Sequence, residues 1–175
     1  MTAPSDNRAT VAVLKTGPQT VLETYRDAMH HVHYQQEISA EIPTLVKLNL
    51  SWTRYFPACS SQPWQVEGVI KTLLADGYQP DRLLPIENKT VVTHPVQGAR
   101  NNRWLGVLER HGLPFIPLTE VEWVRYEFKS PLLKLDQIFP EGIEIPEMFA
   151  GKNVHMGGKG KQGIGIDHHR FFETF

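Results

Sequence analysis

An α/β fold with an open, three-layer, mostly parallel sheet is what this sequence predicts, and three observations predict it. Short apolar runs rich in β-branched residues alternate with amphipathic stretches of helical period across residues 10–118, the pattern of successive strand–helix units. The run at 44–50 (TLVKLNL) leaves little polar surface, as a strand covered on both faces does. Gly or Pro closes most segments, at Gly17-Pro18, Gly77 and Gly112, so the units are short and regularly punctuated.

Residues 10–15 (TVAVLK) read as the first strand. Thr20 and Glu23 have capping-box spacing, and Val21, Leu22, Tyr25, Met29 and Val32 recur at helical period, giving a first helix over 20–33. The second strand is 44–50, followed by a polar loop at 51–61. Ser60 and Ser61 stand where a helix cap is expected, before Pro63 at a first-turn position. Val66, Val69, Ile70, Leu73 and Leu74 form the apolar stripe of the second helix, with Gly77 at its end. Residues 82–86 predict a third strand and 87–89 a polar turn. His94-Pro95 opens a third helix with Trp104, Val107, Leu108 and His111 on one side and Gly112 as its cap. Residues 113–118 are the fourth strand, and 121–128 a further strand or extended edge. Beyond Lys129 prolines break the pattern, and 152–156 is a last short strand.

Three parts follow: a disordered leader at 1–9, a single α/β domain at 10–154, and a Gly-, Lys- and His-rich tail at 155–175. Eighteen Lys and Arg against 19 Asp and Glu give no global pull toward nucleic acid or an anionic membrane, so neither is expected as a partner. No stretch approaches the roughly 18 apolar residues that span a bilayer. The first ten residues lack the apolar segment of a secretory signal, which makes the cytoplasm the default location. Cys59 is the sole cysteine, so this chain alone builds no disulfide, CxxC pair or cysteine-ligated cluster.

In parallel sheets ligands bind beyond the carboxyl ends of the strands, which draws attention to the loops at 51–61 and 87–94. Lys47, Asn49 and Ser51 alternate along the second strand and are expected on one face. An ammonium, an amide and a hydroxyl together suit a carboxylate or phosphate. Arg54, Lys89 and Thr93 are candidates to complete such a site, and Asn88 lies beside them. His94 is the candidate acid–base group or metal ligand; a turn residue at the start of a helix is its plainer reading. Cys59 fits a nucleophile or a soft metal ligand, but a small, half-buried residue accounts for it equally well. Trp52, Tyr55 and Phe56 are expected to pack the loop onto the body.

Other motifs carry less. His30, His31 and His33 (HHxH) close the first helix. His30 and His33 are spaced to share a metal on one face, but no carboxylate stands at clear ligand spacing and the dipole alone favours histidine there. His155, His168 and His169 allow the same metal reading or merely reflect tail composition. Residues 158–163 (GKGKQG) match GxGxxG, but the strand before them is short and the chain ends 12 residues later, without the acid about 20 positions on that a dinucleotide site wants.

The segments KLNLSWTRYFPACSSQPWQVEGVIKTLL and NKTVVTHPVQGARNNRWLGVLERHGL resemble the domain of unknown function family 362, across about residues 10–154. Lys47 and Asn49 in the strand segment and Thr93-His94-Pro95 are the most specific pieces. The resemblance implies an α/β fold and, since some members are described as iron–sulfur proteins, a metal-linked cofactor. Members of that family continue past a strand like 151–154 into further sheet, whereas residues 155–175 follow no such pattern, and a truncated or frame-shifted product is the expectation that follows. The functional expectation is an anionic small-molecule or metal-linked site at the strand ends. Its rival is a non-catalytic remnant or interaction module whose exposed surface a homo-oligomer covers.

Overall fold

A computed structural model of the chain describes residues 9–126 and 143–146. The expectations placed on residues 1–8, on the strand at 152–156, on the GxGxxG stretch and on the tail with His155, His168 and His169 lie outside the described residues. Four α-helices are present among the described residues: α1 (Val21–His31), α2 (Pro63–Ala75), α3 (Pro95–Asn101) and α4 (Trp104–Arg110). Five strands accompany them among the described residues: β1 (Thr44–Lys47), β2 (Leu83–Glu87), β3 (Ile116–Pro117), β4 (Trp123–Tyr126) and β5 (Ile143–Pro146). The α/β class therefore holds. β1, β2 and β3 form one parallel sheet in that order, with Thr44 beside Leu83 and Ile86 beside Ile116. β4 and β5 form a separate antiparallel pair.

Each parallel connection carries its helix: α2 between β1 and β2, α3 and α4 between β2 and β3. Alternation along the strands separates two apolar faces. Leu48, Leu50 and Leu83 join Val66, Ile70 and Leu73 of α2, and Trp104, Val107 and Leu108 of α4, in one core. Ile86 and Leu118 lie on the other face, with Leu45, Leu84, Ile116, Val121 and Trp123 partly buried around them. Trp104, Ile70 and Leu83 have 0 % exposure; a fully buried Leu or Ile contributes roughly 1.5–3 kcal/mol.

α1 packs on α2 and runs parallel to it. Tyr25 meets Trp64 and Gly68 near the starts of both helices, while His30 meets Asp76 at their ends. A Cβ on Gly68 would lie 2.8 Å from Tyr25 Cβ, so the missing side chain is what lets the two helices approach.

Several expectations are corrected. Residues 10–15 are not a strand: no ladder forms there, and Val11 and Val13 are 75 % and 89 % exposed. The first helix starts without a capping box, because the Thr20 hydroxyl turns back to accept from Gly17 N–H at 3.3 Å. The long third helix is two helices. Asn102 donates both N–H and Nδ2–H to the Gly98 carbonyl at 2.9 Å, and Arg103 takes a left-handed conformation at φ 60°. The break therefore falls at Asn102-Arg103. Gly98 admits Leu50, whose Cδ2 lies 2.4 Å from where a Cβ would stand. β1 and β3 are shorter than the apolar runs that contain them; at β1, Leu48 makes the last main-chain bond to the main chain of β2, donating to Ile86 O at 3.1 Å.

Candidate functional site

The carboxyl ends of β1 and β2 bring Lys47 and Glu87 together. Lys47 Nζ lies 2.9 Å from Glu87 Oε1 and 3.1 Å from Oε2, and donates to Leu48 O at 2.9 Å. The Glu87 side chain is 4 % exposed, the Lys47 side chain 37 %. Burial pushes the Glu87 carboxyl up. The Lys47 ammonium and the backbone N–H groups of Asn88 and Leu50 pull it back without fully offsetting the burial, so it titrates above the ordinary glutamate range. A buried carboxylate with a raised pKa, paired with a half-exposed lysine at the strand ends, is the arrangement expected where proton transfer or anion binding occurs. Sequence reasoning placed Glu87 in a polar turn. Its one local signal was position, as the acid that ends the apolar run LLPIE.

The polar row expected on one face is divided. Leu48 N–H points to β2, so the neighbouring N–H of Asn49 points away from it and donates to Ser61 Oγ at 3.0 Å. Asn49 Nδ2 donates to Cys59 O at 3.2 Å and to Ser51 Oγ at 3.3 Å, and Ser51 Oγ donates to Cys59 O at 2.7 Å. Ser51 N–H donates to Ser60 Oγ at 3.2 Å, and Trp104 Nε1–H to Ser61 O at 2.6 Å. Asn49 and Ser51 thus fasten the loop. Ser60 and Ser61 hold its return and do not cap α2. The cap is Gln62, whose N–H donates to Gln65 Oε1 at 2.7 Å.

His94 caps the start of α3, its Nδ1 accepting from Gln97 N–H at 3.4 Å. Its backbone N–H donates to Thr53 Oγ1 at 2.8 Å, Thr53 Oγ1 donates to Val92 O at 3.2 Å, and Asn101 Nδ2 donates to Thr53 O at 2.7 Å. Thr53 therefore stitches the two loops together. No local sequence signal marks it, because its partners are about 40 residues away. Thr93 is buried, and its hydroxyl accepts from Thr90 N–H at 2.8 Å, closing a turn. Arg54 and Lys89 are exposed, and their side chains make no hydrogen bond or ion pair among the described residues. No hydrogen bond links Lys47 to His94 among the described residues; what connects them is the pair of loops joined at Thr53.

Two expectations about the loop change. Cys59 is exposed, not half-buried. Trp52, Tyr55 and Phe56 are 48 %, 48 % and 47 % exposed, so they do not pack the loop down; Trp52 and Phe56 meet edge-on at 6.3 Å. Val91 and Val92, on the adjoining loop, are exposed too.

An iron–sulfur cofactor does not fit this chain. Its one cysteine cannot supply a thiolate set, and no group of three or more His, Cys, Asp or Glu is placed to hold a metal ion among the described residues. HHxH does find a carboxylate. His30 Nε2 lies 2.6 Å from Asp76 Oδ2, which also accepts from Tyr34 OH at 2.5 Å. No helix among the described residues is long and apolar enough to cross a membrane.

No family model matches this chain, and neither a curated protein nor a solved structure does.

Proposed function

We infer that the protein binds a small anion at the carboxyl ends of β1 and β2, with Lys47 as the contacting cation. The Lys47–Glu87 pair carries this reading. Of the three Lys47 donors, one is used by Leu48 O and one is shared by the Glu87 oxygens, which leaves a third for a ligand oxygen. Arg54 and Lys89 on the two joined loops add positive charge with Glu87 as the counter-charge. A bound anion sets a second negative charge beside the Glu87 carboxylate, so binding is coupled to proton uptake by Glu87. If the site turns a substrate over, Lys47 stabilises negative charge, and His94, with Nδ1 engaged by Gln97, exchanges protons through Nε2. The resemblance to the domain of unknown function family 362 belongs to the same reading. So does a sheet layered on both sides, which the second apolar face around Ile86 and Leu118 supports.

A second reading rests on the exposed Trp52, Tyr55, Phe56, Val91 and Val92: a non-catalytic interaction module whose partner covers those loops. Thermal unfolding with a panel of phosphates and small organic acids separates the two. The anion reading expects a rise in Tm with at least one of them, lost in Lys47→Ala and weakened in His94→Ala. If both variants keep every response of the wild type, the site lies elsewhere.

A further inference from the structure

Residues 10–14 have the sequence of a strand and the surroundings of none. Val11, Val13 and Leu14 are 75 %, 89 % and 43 % exposed, and no backbone group of residues 10–15 bonds to another described residue. The segment leaves α1 from a fixed point. Thr20 N–H donates to Gly17 O at 3.0 Å, and Thr16 Oγ1 donates to Thr24 Oγ1 at 3.0 Å.

The sheet has a matching vacancy. β1 pairs only with β2 among the described residues. Because Leu48 N–H points to β2, the N–H groups of Leu45 and Lys47 point to the other side, a strand edge that no described residue pairs with. α1 already occupies the place of a crossover helix for a strand on that edge. As the helix between parallel strands β1 and β2, α2 runs opposite to them, and α1 runs parallel to α2. A strand that fed α1 would run parallel to β1 along its free edge, as right-handed crossovers require.

We propose that two copies of this chain exchange residues 10–14, each adding them as a parallel strand to the free edge of the other's β1. The chain carries both the donor segment and the acceptor edge, so one reciprocal exchange satisfies both and closes at two. Main-chain ladder bonds provide the attraction, and burial of the alternate valines fixes the register.

The test uses the full chain with a photo-crosslinking benzoylphenylalanine at position 13. Light- and heavy-nitrogen preparations are unfolded and refolded together, then irradiated. The proposal expects light-scattering mass at twice the 20.0 kDa of one chain, and crosslinks from position 13 to peptides containing residues 44–47 that pair light with heavy. The double variant Val11→Lys, Val13→Lys is expected to run as a folded monomer, since neither valine is covered within one chain. A wild-type monomer overturns the proposal, as do crosslinks confined to light–light and heavy–heavy pairs, or a dimer that the double variant leaves intact.

Discussion

Glu87 holds Lys47 at the ends of β1 and β2, and its titration sets a direction for stability. Its folded pKa stands above the ordinary glutamate value because burial outweighs Lys47 and the two backbone donors. The folded state therefore keeps this proton where the unfolded chain has released it. The stability it contributes is complete below the ordinary glutamate pKa and is lost as pH rises through the folded value. Thermal melts should show that decline as pH rises above the ordinary glutamate range, and Glu87→Gln should flatten it; equal slopes in both proteins would contradict the assignment. Gly98 is a second decisive residue. Gly98→Ala sets a methyl 2.4 Å from Leu50 Cδ2 and should cost about 1–3 kcal/mol of unfolding free energy, partly restored by Leu50→Val. No loss in urea melts would show that the contact relaxes freely. Neither role was legible locally: glutamate at a strand end looks like any turn residue, and a helical glycine only advertises lowered propensity.

Among the elements, helices were easier to read than strands. The stripe from Val66 to Leu74 located α2 because five apolar residues at one period admit a single face. Strand lengths were overestimated because apolar runs continue past the point where backbone pairing stops, as at Leu48–Leu50. The division of α3 from α4 depends on Asn102 bonding to Gly98 O, which periodicity does not encode. The seam of α1 with α2 was likewise hidden, since His30 and Tyr34 reach Asp76 across more than 40 residues. Burial raises the Asp76 carboxyl, but hydrogen bonds from Tyr34 and His30 and the charges of His30 and Arg26 outweigh it, so its pKa is lowered. Its contribution is present above the ordinary aspartate pKa and is lost as pH falls through the depressed folded value. Asp76→Asn should lower stability by about 1–3 kcal/mol at neutral pH and blunt the acid arm of a melt-versus-pH curve. An unchanged acid arm would mean that the seam is held by packing alone.

At the level of the whole molecule, the alternation of strand and helix was sufficient for the α/β class, and the ends of β1 and β2 bring Lys47 and Glu87 together. The detail differs. Asn49, Ser51, Ser60 and Ser61 build the loop, while Lys47 faces Glu87, and Thr53 ties that loop to His94. Loosening this framework should show as local opening. Ser51→Ala removes the 2.7 Å bond to Cys59 O and should speed proteolytic cleavage within residues 52–58 while leaving Tm nearly unchanged; cleavage at the wild-type rate would mean that the bond is dispensable. The antiparallel partner of β4 was missed because residues 143–146 (IEIP) follow a proline-broken stretch that offers no period.

The central claim is that anions bind at the joined ends of β1 and β2. A nitrogen-resolved NMR titration with inorganic phosphate and with succinate tests it most directly. Saturable shifts confined to residues 47–62 and 87–94, abolished by Lys47→Ala, are the predicted result; no saturable shift with either anion, or shifts that survive the substitution, would contradict it.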